Sequence, residues 1–282
     1  MMTEWVVPLV LCAALMHAGW NSLLKGGGDR LVGITMLNVW CAVAGIALLP
    51  FVPALPVAAW PYLAASLAFH TGYQVFLVRT YRLGDLSQVY PVARGAAPPM
   101  VALVGLILGT DPLKPAEGLA IALIAGGIAT LALRGGAALR ADPRPVLMAL
   151  ATACFIAGYT TVDGLGARAG GHAVAYTVWL FILNALPMVA LAWARRGGAG
   201  LWQATKAGWR RDLVGGIMAM SGYGIAIWAM THAPIALVAA LRETSVIFAL
   251  LIARLWLKEP VGRWRTGAAL LVLAGIATLR LA

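Results

Sequence analysis

Charge is what this chain has least of. Only 11% of its 282 residues are Asp, Glu, Lys or Arg, and the ten acids are outnumbered by 21 Lys and Arg. Soluble domains carry about 25% charged residues, so no separate water-facing domain can be assembled here. Cysteine is scarce and odd in number: Cys12, Cys41 and Cys154 lie in apolar stretches, without CxxC or Cys/His ligand spacing. A disulfide framework or a metal site is therefore not expected, and cysteine reads as a small apolar side chain. HExxH, GxSxG and phosphate-loop motifs are also missing, which disfavours a familiar hydrolase or an ATP-driven pump and calls for no cofactor.

Apolar runs fill the space that charge leaves. The chain is 62% hydrophobic with a mean hydropathy of +0.87, and its runs extend for about twenty residues, the length of a membrane-spanning helix. Transmembrane β-strands would alternate over shorter segments. The fold class expected is all-α integral membrane, with the lipid bilayer as the main partner. A net charge of +11 would suggest nucleic acid in a soluble protein, but these cations sit between apolar runs, so no nucleic acid partner is expected. Residues 1–4 hold one Glu and no Lys or Arg, whereas Lys25 and Arg30 follow the first run. A secretory signal has the opposite order, so the first run reads as a retained helix.

Turn and charge signals divide the chain into ten spans, near 5–24, 32–52, 61–81, 86–108, 115–133, 146–166, 173–194, 212–232, 235–257 and 264–281. Arg195 to Arg211 reads as a basic surface loop, with Trp202 and Trp209 at the interface. Sixteen Lys and Arg fall on the odd–even connections, three on the opposite side (Lys114, Arg168 and Arg280), and Arg94 and Arg242 inside spans. That asymmetry predicts both termini outside.

Two arginines deep in apolar runs need a wet or paired environment, because a charge at that depth costs a few kcal/mol. They are also related. Gly127-Ile128-Ala129-Thr130-Leu131 recurs as Gly275-Ile276-Ala277-Thr278-Leu279 at an offset of 148, which also carries Arg94 onto Arg242 and Asp111-Pro112 onto Glu259-Pro260. Thr71-Gly72-Tyr73 matches Ser221-Gly222-Tyr223 at 150, and Ala18-Gly19-Trp20-Asn21 matches Ala157-Gly158-Tyr159-Thr160 at 139. The expected organisation is a first five-helix repeat over 1–134, a linker over 135–144 and a second repeat over 145–282. Five spans per half is odd, so the second half enters from the opposite side and the repeats are inverted around a central cavity.

With this five-plus-five repeat, the acidic residues Asp111 and Glu259 before the next helix, and glycine-rich fifth and tenth helices, the chain resembles the drug/metabolite transporter superfamily, in its ten-helix EamA-type branch. The resemblance covers essentially the whole chain. It implies a bacterial inner-membrane carrier, multi-pass and with periplasmic termini by the charge count, that exports amino acids, other metabolites or drugs. One departure stands out: the small multidrug relatives use a first-helix glutamate, whereas this first span has no carboxylate and places His17 mid-membrane.

Candidate site residues follow from helical spacing. Ser87, Tyr90 and Arg94 share a face of the fourth span, with Pro91, Pro98, Pro99 and Gly95 around Arg94, so a kink or interruption is expected there. The alternative is a structural arginine paired with Glu243 or capping carbonyls. In the ninth span Arg242 and Glu243 point about 100° apart, and they are assigned to gating or coupling. Glu243 is the first candidate for a protonatable carboxylate and Asp163 the second, the latter close enough to a helix end to be solvated. Aromatic and amide groups complete a substrate-binding set: His17, Trp20 and Asn21; His70, Tyr73 and Gln74; Tyr159; Trp179 and Asn184; Tyr223 and Trp228. Gly105-xxx-Gly109 and the glycine-rich spans read as close-packed faces, with packing inside a monomer preferred.

The function expected is secondary transport of a small-molecule substrate, an amphipathic or aromatic amino acid first, with protons as a candidate coupling ion. The chain is not expected to be an enzyme. Alternatives are export of multidrug-type cationic compounds, an intramembrane transferase using His17 or His70 as base, and a passive channel. Arg94 is expected to recognise an anionic group through its planar fork.

Overall fold

A computed structural model describes residues 5–25, 29–83, 86–133, 143–255 and 263–281, and these are helical with no strand among them. The elements are α1 (Val6–Lys25), α2 (Arg30–Leu48), α3 (Trp60–Leu83), α4 (Leu86–Leu108), α5 (Pro115–Leu133), α6 (Arg144–Gly170), α7 (Ala173–Met230), α8 (Ile235–Arg242), α9 (Ser245–Leu255) and α10 (Arg263–Leu281). Among the described residues, seven stretches are long and apolar enough to cross a membrane. Two further apolar helices, Pro115–Thr130 and Thr266–Leu279, are shorter. The expected third span, α3, is absent from both groups because Ser66, His70, Thr71 and Gln74 dilute its apolar character. Those residues also help build the polar centre of the molecule. Most of the linker expected at 135–144, and the Glu259-Pro260 element of the repeat, lie outside the described residues.

Local chemistry sets the helix ends. Asp29 caps α2 by accepting from the Leu31 N–H at 2.9 Å, and Glu117 accepts from the Lys114 N–H at 2.8 Å ahead of α5. Gly171 closes α6 at φ 64°, a left-handed conformation that glycine adopts without a Cβ penalty. The segment expected as a surface loop, Arg195 to Arg211, is instead helical on both sides of Gly197, whose φ of 71° and ψ of 165° divide α7 into two arms. No proline follows Pro187 within α7, so apart from Gly197 nothing local interrupts the backbone ladder. Trp202 and Trp209 remain exposed, as interface anchors require.

Packing is governed by small residues. α2 lies against α7, α5 against α10, α3 against α6, and α1 against the second arm of α7. A Cβ on Gly72 would meet Phe155, while one on Gly158 would meet Phe69. The same reciprocal notch joins Gly19 to Met218 and Gly222 to Met16 and Ala13. A third notch is nearly self-symmetric: a Cβ on Gly127 would meet Ala268 and Val272, and one on Gly275 would meet Ala120 and Ile124. Close backbone approach of this kind is the main source of helix association in lipid. Gly105-xxx-Gly109 is not such a face. Gly109 lies beyond the end of α4 at φ 64°, with no neighbour a Cβ would touch among the described residues. Its left-handed conformation serves to end the helix.

Polar side chains along the spans are mostly returned to the backbone. Ser22, Thr35, Thr71, Thr152 and Thr177 each donate a hydroxyl to the carbonyl four residues earlier, the usual solution where no water is at hand. Leu106, Ile107, Leu186 and Leu270 stay exposed, forming part of an apolar exterior suited to lipid.

Candidate functional site

The site is assembled around one interruption. α8 ends at Arg242, Glu243 and Thr244 form a tight turn with N–H bonds to the carbonyls of Ala240 and Leu241 at 3.1 Å each, and α9 resumes at Ser245. This break lets adjacent side chains leave in different directions. Glu243 turns to α4, where the Arg94 Nε donates to Oε2 at 2.9 Å and Nη2 lies 2.7 Å from Oε1. Both residues are 3% exposed. The guanidinium therefore joins the two halves of the chain through one Nε hydrogen bond and a close Nη2 contact in a buried setting.

The interruption expected at Arg94 is thus found in the second half of the chain, at Glu243–Thr244. α4 runs as one helix from Leu86 to Leu108 despite Pro91, Pro98 and Pro99. Pro98 and Pro99 leave the carbonyls of Arg94 and Gly95 without their usual donors. The segment stays helical because Gly95 packs directly on the α5 backbone, where a Cβ would sit 3.1 Å from the Ala125 carbonyl oxygen. Tyr90 belongs to α4, but its side chain and that of Ser87 lie outside the described residues.

Arg242 turns the other way. Its guanidinium carbon stands 4.6 Å from the ring centroid of Tyr223, a cation–π contact. Arg242 is 9% exposed, and among the described residues it makes no ion pair or hydrogen bond.

Tyr223 is the junction of an aromatic cluster. Its ring lies 5.9 Å from His70, 6.1 Å from Tyr159 and 6.2 Å from Phe181. His70 stacks on Tyr159 at 4.1 Å, and Tyr73 meets Tyr159 edge-on at 5.6 Å. The Tyr223 hydroxyl donates to Asp163 Oδ2 at 2.6 Å, and Tyr176 donates to Oδ1 at 3.0 Å. Ser66 Oγ is 3.1 Å from the Nδ1 of His70. Asp163, expected near a solvated helix end, is fully buried. α6 continues to Gly170, and the extra turns seal the carboxylate among tyrosines. Spacing did not single out Ser66, Tyr176 or Phe181. Ser66 was the accessible one, four residues before His70 on the same face.

The remaining candidates divide. Half-buried His17 meets Trp20 edge-on at 5.0 Å and lies within electrostatic reach of Arg94 and Arg242. Asn21 donates its amide to the His17 carbonyl at 2.8 Å. His17 Nε2, Gln74 Oε1 and Asn184 Oδ1 are buried and have no hydrogen-bond partner among the described residues. Unsatisfied buried polar atoms are rare, and a polar ligand is one way to satisfy them. Trp179 pairs with Trp60 at 5.2 Å and Trp228 with His232 at 4.4 Å. No ring contact among the described residues links either to the Tyr223 cluster, and Trp60 precedes His70 by ten residues, about 15 Å along α3.

A second polar assembly closes one end of the molecule. Arg168, near the end of α6, binds Asp111 through Nη1 at 2.9 Å and Nη2 at 3.3 Å. Its Nε also donates to the Met230 carbonyl at 2.8 Å, and Nη2 to the Ala233 carbonyl at 3.0 Å. Asp111 Oδ2 accepts from the Ile235 N–H at 2.9 Å. Three connections that the charge count assigns to the same face are therefore tied by one guanidinium.

The described helices thus enclose a buried charged and aromatic centre. Residues 144–281, the second half of the chain, match the EamA-like transporter family, which is consistent with the drug/metabolite transporter superfamily. The seven long apolar helices among the described residues, together with that match, mark a multi-pass membrane protein. A solved structure described only as a crystal structure of a protein is similar at a TM-score of 0.76, with 17% identity over 98% of each chain; that likeness concerns the fold alone. No curated protein matches the chain.

Proposed function

We propose that the protein is a secondary carrier that exports or exchanges a small organic metabolite by alternating access. In this reading ten spans form two inverted five-helix repeats, in a bacterial inner membrane with both termini periplasmic. The reciprocal glycine notches support the repeat, because each of these contacts between the halves has a counterpart related by the sequence offsets. An amphipathic or aromatic amino acid is the leading cargo.

The observation that carries the reading is that both halves contribute to one dry cluster, around Glu243 and Tyr223, at a helix interruption. Carriers place substrates at such breaks near the midplane, between repeats. The Arg94–Glu243 pair joins α4 to the α8–α9 turn, so it is placed to act as an internal lock that rearranges with cargo or protons. His70, Tyr159 and Tyr223 present flat apolar surfaces to an uncharged side chain. A cationic drug fits less well, since both oxygens of Glu243 already face a guanidinium.

Uptake into proteoliposomes of a panel of labelled amino acids and cationic dyes tests this. Saturable flux of an amino acid, accelerated by unlabelled cargo on the far side, is expected. Dye flux without amino-acid competition would replace the cargo assignment. Non-saturable conductance would point to a pore, and covalent alteration of the solute to a transferase.

A further inference from the structure

The two halves are unequal at the site, in one position. The offset of 148 that places Arg242 opposite Arg94 places Glu243 opposite Gly95. Position 95 is crowded against α5: a Cβ there would lie 3.1 Å from the Ala125 oxygen and 3.3 Å from the Ala129 nitrogen. The second half therefore supplies Arg94 with a carboxylate, while the equivalent position of the first half holds glycine and returns none to Arg242.

Other acids do not fill the gap. Glu243 adjoins Arg242 and lies within its electrostatic reach, yet both of its oxygens face Arg94, and it makes no ion pair with Arg242. The two oxygens of Asp163 receive the hydroxyls of Tyr176 and Tyr223. The Tyr223 ring attracts the guanidinium but accepts none of its five N–H donors in the manner of a carboxylate. A cation more than nine-tenths buried is thus left with unused directional donors, in a region where charges are ordinarily paired. Arg242 retains 9% exposure against 3% for Arg94, so it is also the more open of the two guanidinia.

We infer that Arg242, rather than Arg94, receives the carboxylate of the cargo, which completes the ion pair that the repeat leaves unfinished. The inference rests on the carrier reading and narrows its substrate class. The cargo is a small carboxylic acid with a flat or branched apolar group, held against His70, Tyr159 and Tyr223, with Arg94–Glu243 retained as the internal lock.

Calorimetric titration of the detergent-purified full chain with L-phenylalanine and L-phenylalaninamide tests this. The acid should bind at least about tenfold more tightly than the amide, as expected for a charge-assisted bidentate contact. Arg242→Gln should abolish that preference, and Arg242→Lys, which keeps charge but loses the fork, should retain only part of it. Undiminished preference in folded Arg242→Gln overturns the inference, as does equal binding of acid and amide by the parent. Where Arg242→Gln does not fold, phenylglyoxal modification of the parent, mapped by mass spectrometry, decides. L-Phenylalanine should protect Arg242 and the amide should not, and equal protection sinks the proposal. If neither compound binds, the carboxylate assignment fails, while saturable counterflow of another solute would leave the carrier reading standing.

Discussion

Arg94 and Arg168 each hold a carboxylate with a two-point grip, yet they sit in opposite circumstances. Arg94 meets Glu243 in the dry interior, joining the two halves where α8 breaks from α9. Arg168 meets Asp111 in a partly buried position near one end, and spends its other donors on the carbonyls of Met230 and Ala233. The first pair is deeply buried, and among the described residues no backbone carbonyl shares the Arg94 contact with Glu243 in the way that Met230 and Ala233 share Arg168. The second is one strand of a network whose backbone contacts survive loss of the acid. Depth and redundancy, not the residue types, therefore decide what each pair does. The interior pair is suited to a concerted rearrangement, and the end-face network to holding connections together.

The largest effect should come from breaking the interior pair on one side only. Glu243→Ala leaves Arg94 buried beside a void, and losing one member of such a pair costs about 3–5 kcal/mol. Thermal unfolding in detergent should show a large drop in midpoint and folded yield. The double variant Arg94→Met with Glu243→Leu should recover much of that loss, since apolar replacement of both partners is often neutral, yet it should not restore transport. A near-parental midpoint for Glu243→Ala would remove the distinction between the two regions.

Arg168→Lys comes next. An ammonium can still approach Asp111 but cannot reproduce the fork and the two carbonyl contacts together. Partial exposure and surviving contacts limit the cost to about 1–2 kcal/mol. The Ile235 N–H to Asp111 bond does not involve Arg168, so limited proteolysis should show that the α7–α8 connection stays folded. A loss as large as that of Glu243→Ala would mean the end-face network lacks the redundancy its geometry indicates.

How much of this was readable beforehand depends on distance along the chain. Spacing placed Arg94 and Arg242 inside spans, and the repeated pentapeptide at Gly127 and Gly275 marked residues that occupy matching notches between α5 and α10. Periodicity reports which residues share a helix face, and those relations are local. It does not report which helices face each other. Asp163 receives hydroxyls from residues 13 and 60 positions away, so its enclosure could not be read from neighbours. Proline content pointed to a break at Arg94, but packing of Gly95 on α5 holds that helix together, and the break falls at Glu243–Thr244, where no proline marks it. The aromatic set divides for a similar reason. Trp179 and Trp228 have the right chemistry, but their partners are Trp60 and His232.

The smallest effect belongs to the outermost ion pair, which sharpens the comparison from the other side. Asp29 Oδ2 lies 2.6 Å from Arg196 Nε, joining the α1–α2 connection to the region of the α7 break. Arg196 is half exposed, so the pair is worth no more than about 1 kcal/mol and is screened by salt. Partial burial pushes the Asp29 carboxyl up, but the bond from Arg196 and the backbone N–H of Leu31 outweigh it and hold the group below its ordinary value. A carboxyl lowered in the folded state stabilises fully above its unfolded value, and that contribution fades as pH falls through the lower, folded value. Melting curves of the parent and Asp29→Asn should therefore differ slightly near neutrality and converge in acid, with the gap narrowing in high salt. Asp111→Asn should keep more of its gap in salt, because its partner network is partly buried and includes the Ile235 N–H. Asparagine still caps α2 through its side-chain oxygen, so if Asp29→Asn shows a gap that persists in both acid and salt, the difference does not come from the charge on Asp29. The end-face and interior pairs would then have no exposed counterpart against which their depth could be measured.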